Sequence, residues 1–221
     1  MQNKPPHSRP ARVGIANALR SDILDGKLAP GARLIELQLA EVHGVSRASI
    51  RAAIGELVKE GLVDHEANRG ATVRRVAIEE AIQITEVRAL LESLIAGRAA
   101  IAATEEDKTE LASIIGQMRE AVAGDHFVEY SELNSLLHQR LREISGQVVA
   151  GDLVALLRNR AAHHNFRLAV IPGRPNESLP QHEAVVNAVV AGDPEAAERA
   201  MRIHMDSVAS VLRRWATVAL R

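Results

Sequence analysis

The chain has 221 residues, with 27 Lys+Arg against 28 Asp+Glu, 47% hydrophobic residues and no cysteine. That length holds one large or two modest domains, and the missing cysteine excludes a disulfide framework, a thiolate metal site and a thiol nucleophile. Charge is unevenly spread: residues 1–76 carry 12 Lys+Arg and 8 Asp+Glu, the remainder 15 and 20. Only the first part is basic, as attraction to phosphates requires. Aromatic residues make up 2% of the chain, and Phe127, Tyr130, Phe166 and Trp215 all lie outside the basic part. This argues against single-stranded nucleic acid, whose binding leans on stacking. No apolar run approaches a membrane span, and Met1-Gln2-Asn3-Lys4-Pro5-Pro6 has no apolar stretch of a signal peptide behind it. A cytoplasmic protein without a membrane partner is expected.

Residues 1–10, with three prolines and no periodic pattern, read as a flexible arm. From about Ala11 to Leu24, Ile15, Leu19 and Ile23 recur at helical spacing, and the segment stops at Gly26 and the Pro30-Gly31 turn. A short helix follows from about Ile35 to His43. Gly44 supplies the sharp turn of a helix-turn-helix, and Ser46 can cap a third helix whose first turn carries Arg47. On that helix Ile50, Ala53, Ile54, Leu57 and Val58 form the stripe expected to be buried, with Arg47 and Arg51 one turn apart along its edge. Guanidinium groups there can reach guanine edges or phosphates. The alternative is two solvated surface arginines, which the surrounding pattern disfavours. After Gly61, Leu62-Val63 and Thr72 to Val76 are expected to pair as a hairpin with Asn68-Arg69-Gly70 at its tip, carrying Arg69 towards DNA.

Residues 15–76 resemble the winged helix-turn-helix of the GntR family of bacterial transcription regulators. The resemblance is carried by Leu19-Arg20-x-x-Ile23, Gly26-x-Leu28-x-Pro30-Gly31-x-Arg33-Leu34, Leu39-Ala40-Glu41, Gly44-Val45-Ser46-Arg47, Ile50-Arg51 and Gly61-Leu62-Val63. It implies that Arg33, Ser46, Arg47, Arg51, Asn68, Arg69 and Gly70 meet DNA. Ser49 stands at a position where many members have proline, and is included among the candidate DNA contacts.

From Ile78 onward the pattern is helical, with helices expected at about 78–102, 105–123, 126–145, 148–170, 179–191 and 194–218. The breaks are Thr104 as a cap, Gly124-Asp125, Ser145-Gly146, Pro172-Gly173-Arg174-Pro175, and Gly192-Asp193-Pro194, where Asp193 caps and Pro194 opens the helix. The expected fold is therefore mainly α: a winged helix-turn-helix over 11–76, then an antiparallel all-α bundle of about six helices over 77–221, joined by a short connection.

Asn134 and His138 are one helical turn apart. His182 shares a face with Val185, Val186 and Val189, and His204 with Ala197, Ala200, Val208 and Val211. A lone inward histidine is more often a satisfied core residue than a ligand. Three on separate helices, with an oxygen-bearing side chain one turn before the first, favour a divalent metal. The region is similar to the FCD ligand-binding domain of the FadR-type branch of GntR regulators, and six helices would suit the VanR-like subgroup. The matching residues are Arg88-x-x-Leu91-Glu92, Asn134-x-x-x-His138, Pro172-Gly173-Arg174, His182-Glu183-x-Val185-Val186-x-Ala188, and Gly192-Asp193 leading to His204. The resemblance places a metal on Asn134, His138, His182 and His204, zinc first, with nickel or manganese as alternatives.

A neutral amide and three neutral imidazoles leave a divalent ion its full charge, so the expected effector is a small carboxylate. Arg88 is the first candidate to hold its other end, with an i, i+4 ion pair to Glu92 as its alternative role. Arg140, Arg160 and Arg174 follow, and His163-His164 has no motif support. The expected function is a homodimer on a palindromic operator in double-stranded DNA, a repressor relieved by its effector, with activation as the minority alternative. Two other readings stay open. A metal-dependent hydrolase is one, although neither His-Glu-x-x-His nor a nucleophile elbow occurs. A metal that merely staples a dimerisation domain is the other.

Overall fold

The computed structural model describes residues 9–24, 26–66, 70–161, 164, 171 and 173–219. They fall into two compact units. One runs to Val76 and takes in the described residues between 158 and 166; the other comprises Ala77–Leu157 and the described residues beyond 166. Among the described residues no helix is long and apolar enough to cross a membrane.

The first unit contains α1 (Arg9–Leu24), β1 (Arg33–Leu34), α2 (Glu36–His43), α3 (Arg47–Lys59), β2 (Val63–Glu66) and β3 (Gly70–Val73). Helix α1 begins at Arg9, two residues inside the expected arm, because Pro10 falls in the first turn, where its missing N–H has no helical partner to lose. The arm through Ser8 lies outside the described residues. Helices α1 and α2 both pack on α3. Their core joins Ile15, Leu19 and Ile23 to Ile50, Ile54 and Leu57. Gly44 has φ +63°, the left-handed turn that ends α2 and starts the reversal into α3. Val58, expected in the buried stripe, is 37% exposed: it lies at the edge of the stripe, lining the same concavity as Arg47 and Arg51.

The sheet is antiparallel in the order β1-β3-β2. Its hairpin pairs Val63 with Val73 and Glu66 with Gly70, so the second strand lies about half a strand earlier than the expected Thr72 to Val76. Alternation explains the shift: Ala71 and Val73 point into the core. Past Val73 one further bond, from the Arg74 N–H to the Leu62 carbonyl at 3.0 Å, ends the pairing, and residues 74–77 are irregular. The two-residue β1 was not expected. It pairs Arg33 with Thr72 and Leu34 with Ala71, which carries Arg33 on the outer side of the wing.

The second unit contains α4 (Ile78–Ala102), α5 (Glu105–Ala123), α6 (Phe127–Ser145), α7 (Val148–Arg160), α8 (Arg174–Val190) and α9 (Pro194–Ala219). Helix α9 packs along α4 and α8, α4 also meets α6, and α5 lies against α6 and α8. Leu111, Met118, Leu137, Leu141, Met201 and Met205 are fully buried in the shared core. Each such side chain contributes about 1.5–3 kcal/mol by leaving water. Thr104 and Asp107 form the capping box of α5, and the Asp193 carboxylate accepts the Ala196 N–H at 2.9 Å to cap α9.

Two boundaries depart from expectation. Helix α7 stops at Arg160 rather than 170, with Ala161 already in a turn; residues 162–163 and 165–170 lie outside the described set. Helix α8 starts at Arg174, not 179, because Gly173, at φ +80°, turns the chain and Pro175 occupies the first helical turn instead of breaking it. The earlier start brings Arg174 and Ser178 onto the same helix as His182.

Candidate nucleic-acid interface and metal centre

The reading head is built around the start of α3. The Ser46 hydroxyl accepts the Ser49 N–H at 3.1 Å, satisfying an orphan donor of the helix and fixing the direction of its first turn. Arg47 and Arg51 then project, exposed, one turn apart. Beside them lies a concavity of about 970 Å³ whose lining includes Arg33, Glu36, Arg47, Arg51, Lys59 and His65. Gly70 borders it from the wing. Ser49 does not join this surface: it is 8% exposed, and its hydroxyl lies 2.9 Å from that of Ser46, completing the cap. Asn68 and Arg69 lie outside the described residues.

The bundle holds the second site. His138 on α6, His182 on α8 and His204 on α9 are all buried, and one ligating atom from each lies within 4.8 Å of the others. Ring centroids are 4.3 Å apart for His182 and His204, 5.5 Å for His138 and His204 and 5.6 Å for His138 and His182.

Hydrogen-bond direction fixes which nitrogen each ring offers. The Glu92 carboxylate accepts from His138 Nδ1 at 2.7 Å, and the Gln181 amide oxygen accepts from His204 Nδ1 at 3.1 Å. For His182 the direction follows along a chain. With the Ser178 hydroxyl donating to the Arg174 carbonyl at 3.0 Å, its oxygen accepts from the Tyr130 hydroxyl at 2.6 Å. Tyr130, its proton spent, accepts from His182 Nδ1 at 3.1 Å. All three rings are thus protonated at Nδ1 and keep the lone pair on Nε2. His182 Nε2 is buried and has no hydrogen-bond partner among the described residues, and the same holds for Asn134 Oδ1, one turn before His138. Buried acceptors left unsatisfied cost about 1–3 kcal/mol each, so this donor set fits a tetrahedral or larger divalent ion well.

Charged groups surround the cluster. Arg88 is given to Glu92, with Nη2 at 2.6 Å and Nε at 3.0 Å from one carboxylate oxygen, while the other oxygen holds His138. Arg88 makes the i, i+4 ion pair named as its alternative role, and a carboxylate lies behind His138 that would offset part of a bound ion's charge. Removing either member of this buried pair would strand a charge, at a cost of about 3–5 kcal/mol. Arg140 bonds Asp107, Glu110 and Glu143 in a network away from the histidines. Arg174 is 7% exposed; Nη1 reaches Ser207 at 2.8 Å and Glu177 at 3.3 Å, whereas Nη2 is buried without a partner among the described residues. Arg142, one turn beyond His138 and overlooked in the sequence, likewise has a buried, unpartnered Nη1. Burial lowers the pKa of both guanidiniums. His164 is buried with Nε2 2.8 Å from the Val76 carbonyl oxygen, and its neighbour His163 lies outside the described residues.

Residues 12–73 match the model of the bacterial regulatory proteins, gntR family, and residues 83–207 match that of the FCD domain. The chain belongs to the GntR family and carries an FCD domain. This regulator is 27% identical to the HTH-type transcriptional repressor RspR of Escherichia coli K12, over 93% of its own length and 90% of that protein. It is 27% identical to a probable D-xylose utilization operon transcriptional repressor of Paenarthrobacter nicotinovorans, over 89% and 88%. Its fold is shared with Escherichia coli McbR/YncC, with a TM-score of 0.80, 23% identity, and coverage of 93% and 98%. A putative GntR regulator from Rhodococcus sp. RHA1 has a TM-score of 0.72, 24% identity, and coverage of 92% and 97%. The two relatives compared by sequence are named as transcriptional repressors, and regulators of this family bind DNA; the protein is a transcription regulator rather than an enzyme.

Burial, followed by the charges of neighbouring histidines and Arg174, holds the pKa of His182 well below the ordinary value, and burial does the same for His204. Both rings stay neutral in the folded regulator, as metal ligation requires. In the unfolded chain they titrate near 6.5, so the unfolded state binds more protons below that pH. The metal-free regulator should lose stability as pH falls through about 6.5, by about 1 kcal/mol per histidine for each pH unit. Chemical denaturation at pH 7.5 and 5.5 checks this; equal stability at both would contradict it.

Proposed function

We propose that the regulator is a homodimeric repressor that binds a palindromic operator and releases it when a small carboxylate occupies the FCD domain at a divalent ion. His138, His182 and His204 would hold the ion, with Asn134 as a fourth ligand, and the nitrogen-rich donor set favours zinc over nickel or manganese. The observation carrying this reading is the pair of buried, unpartnered acceptors, His182 Nε2 and Asn134 Oδ1, beside two more imidazoles of the same tautomer. When bound, the ion supplies positive charge and an open coordination position that attract a carboxylate oxygen.

The chain's own residues do the rest. Glu92, Gln181 and the Tyr130-Ser178 pair orient the three rings, and the buried Arg174 Nη2 offers an N–H to the anion. On the head, Arg47 and Arg51 are assigned to base edges and Arg33, Asn68, Arg69 and Gly70 to the DNA backbone and wing contacts. Repression is supported by the two relatives described above, both named as repressors.

The test is a mobility shift on a duplex that the full-length protein itself selects from a randomised pool. Some members of a panel of mono-, di- and hydroxycarboxylates should release it from zinc-loaded protein and none from chelator-stripped protein. By linkage, the active acid must bind less tightly when the operator is present. Release that ignores the metal, or no release by any acid, would contradict the reading.

A further inference from the structure

Glu36 is the first residue of α2, and its carboxylate faces the reading arginines of α3. Arg51 Nε donates to Glu36 Oε1 at 2.7 Å and Nη2 donates to Oε2 at 2.7 Å, a side-on fork. Arg47 Nη2 reaches the same Oε2 at 3.3 Å. Two guanidiniums thus share one carboxylate on the surface lined by Arg33, Lys59 and His65.

A guanidinium has five donors in a rigid plane. A side-on contact uses Nε–H and one hydrogen of Nη2; it leaves Nη1 and the outer hydrogen of Nη2, which is the end-on pair that matches guanine O6 and N7. The plane of Arg51 is therefore set before DNA arrives, and its remaining fork is the one suited to a base edge. The carboxylate also offsets the charge of Arg51 and Arg47, which weakens their attraction to phosphate, whereas the end-on fork still matches a guanine edge.

We propose that Glu36 is a positioning residue for base recognition: it holds the Nε–Nη2 edge of Arg51, presents the end-on fork to guanine, and restrains Arg51 and Arg47 from indiscriminate phosphate contact. The head thereby exchanges some general affinity for sequence preference. This rests on the proposed base contact of Arg51, and the experiment separates the two.

Full-length wild type, Glu36→Gln, Glu36→Asp, Arg51→Ala and the Glu36→Gln/Arg51→Ala double variant are compared. The probes are duplexes that the wild type recovers from a randomised pool and unselected duplexes from that pool. Each protein's ratio of affinities for the two probes is measured across a salt series. Glu36→Gln should bind unselected duplexes more tightly and lower the ratio about tenfold, with the loss concentrated at guanines that Arg51→Ala also ceases to read. Glu36→Asp keeps the charge at the start of α2 but withdraws the carboxylate by one methylene, so it should behave like Glu36→Gln. In the Arg51→Ala background Glu36→Gln should change guanine reading no further and should lower the ratio less than it does in the wild type, the remainder coming from the release of Arg47.

A Glu36→Gln ratio within about twofold of wild type, while Arg51→Ala loses it, would overturn the positioning role and leave the Arg51 contact standing. An equal loss with and without Arg51 would overturn it as well. If Arg51→Ala itself keeps the wild-type ratio, the base contact and the positioning role fall together.

Discussion

Arg51→Ala should abolish specific operator binding while leaving the fold of the regulator and any metal it holds unchanged. A bidentate arginine–guanine contact is worth about 1–3 kcal/mol of discrimination, and the proposed dimer on a palindrome would make it twice, so about 2–6 kcal/mol of specific affinity is at stake. The stability cost is small because the Arg51 side chain is 67% exposed and its pair with Glu36 lies at the surface. Arg51→Lys should not rescue the variant, since an ammonium is a point charge without the planar fork. Fluorescence anisotropy on the selected duplex, with melting temperature as the control, measures both. Specific binding retained within about twofold of wild type would remove Arg51 from the reading surface.

His182→Ala should remove the central histidine of the cluster and, in the proposed mechanism, the effector response with it. His182 has both neighbouring rings within 5.6 Å and the unpartnered nitrogen. Its loss leaves two histidines and a neutral amide, too few for a tight site. Metal bound only to the folded wild type stabilises it by about 4 kcal/mol at a thousandfold excess over its dissociation constant, and the variant forfeits that term. The expected outcome is operator binding like that of the wild type, no release by carboxylates, and a melting temperature that zinc no longer raises. If acids still release DNA from His182→Ala, the metal-anchored account is wrong.

Much of the head was legible because its signals are local. Gly44 and Ser46 announce the turn and cap, and the spacing from Ile50 to Leu57 places Arg47 and Arg51 at the edge of the buried stripe. The wing register was not: the expected strand ran on through Arg74 and Arg75 to Val76, whereas pairing with β2 and with β1, a non-local partner two residues long, places it at Gly70–Val73. Ser49 shows a local ambiguity, in that a hydroxyl three residues past a cap can face DNA or complete the cap, and here it is buried against Ser46.

In the bundle, helical periodicity turns His138, His182 and His204 inward, so the cluster could be anticipated. Its support could not. Gln181 and Ser178 act through contacts across helices, and Ser178 reaches Tyr130 only because α8 starts at Arg174, a start hidden by reading Pro175 as a break. Glu92 could be paired with Arg88 by spacing, yet its second bond, to His138, depends on the packing of α4 against α6. Arg142 was within reach of the pattern, one turn past His138 on the same face, but surface arginines at that spacing are common and nothing local marks this one as half-buried with its Nη1 enclosed.

Metal content decides the central claim most directly. Untagged protein purified without chelator, then supplemented with zinc and desalted, is analysed for divalent metal beside His138→Ala. The account predicts about one ion per chain in the wild type and almost none in the variant. Metal absent from both, or present equally in both, would contradict it and return the three histidines to the hydrophobic core.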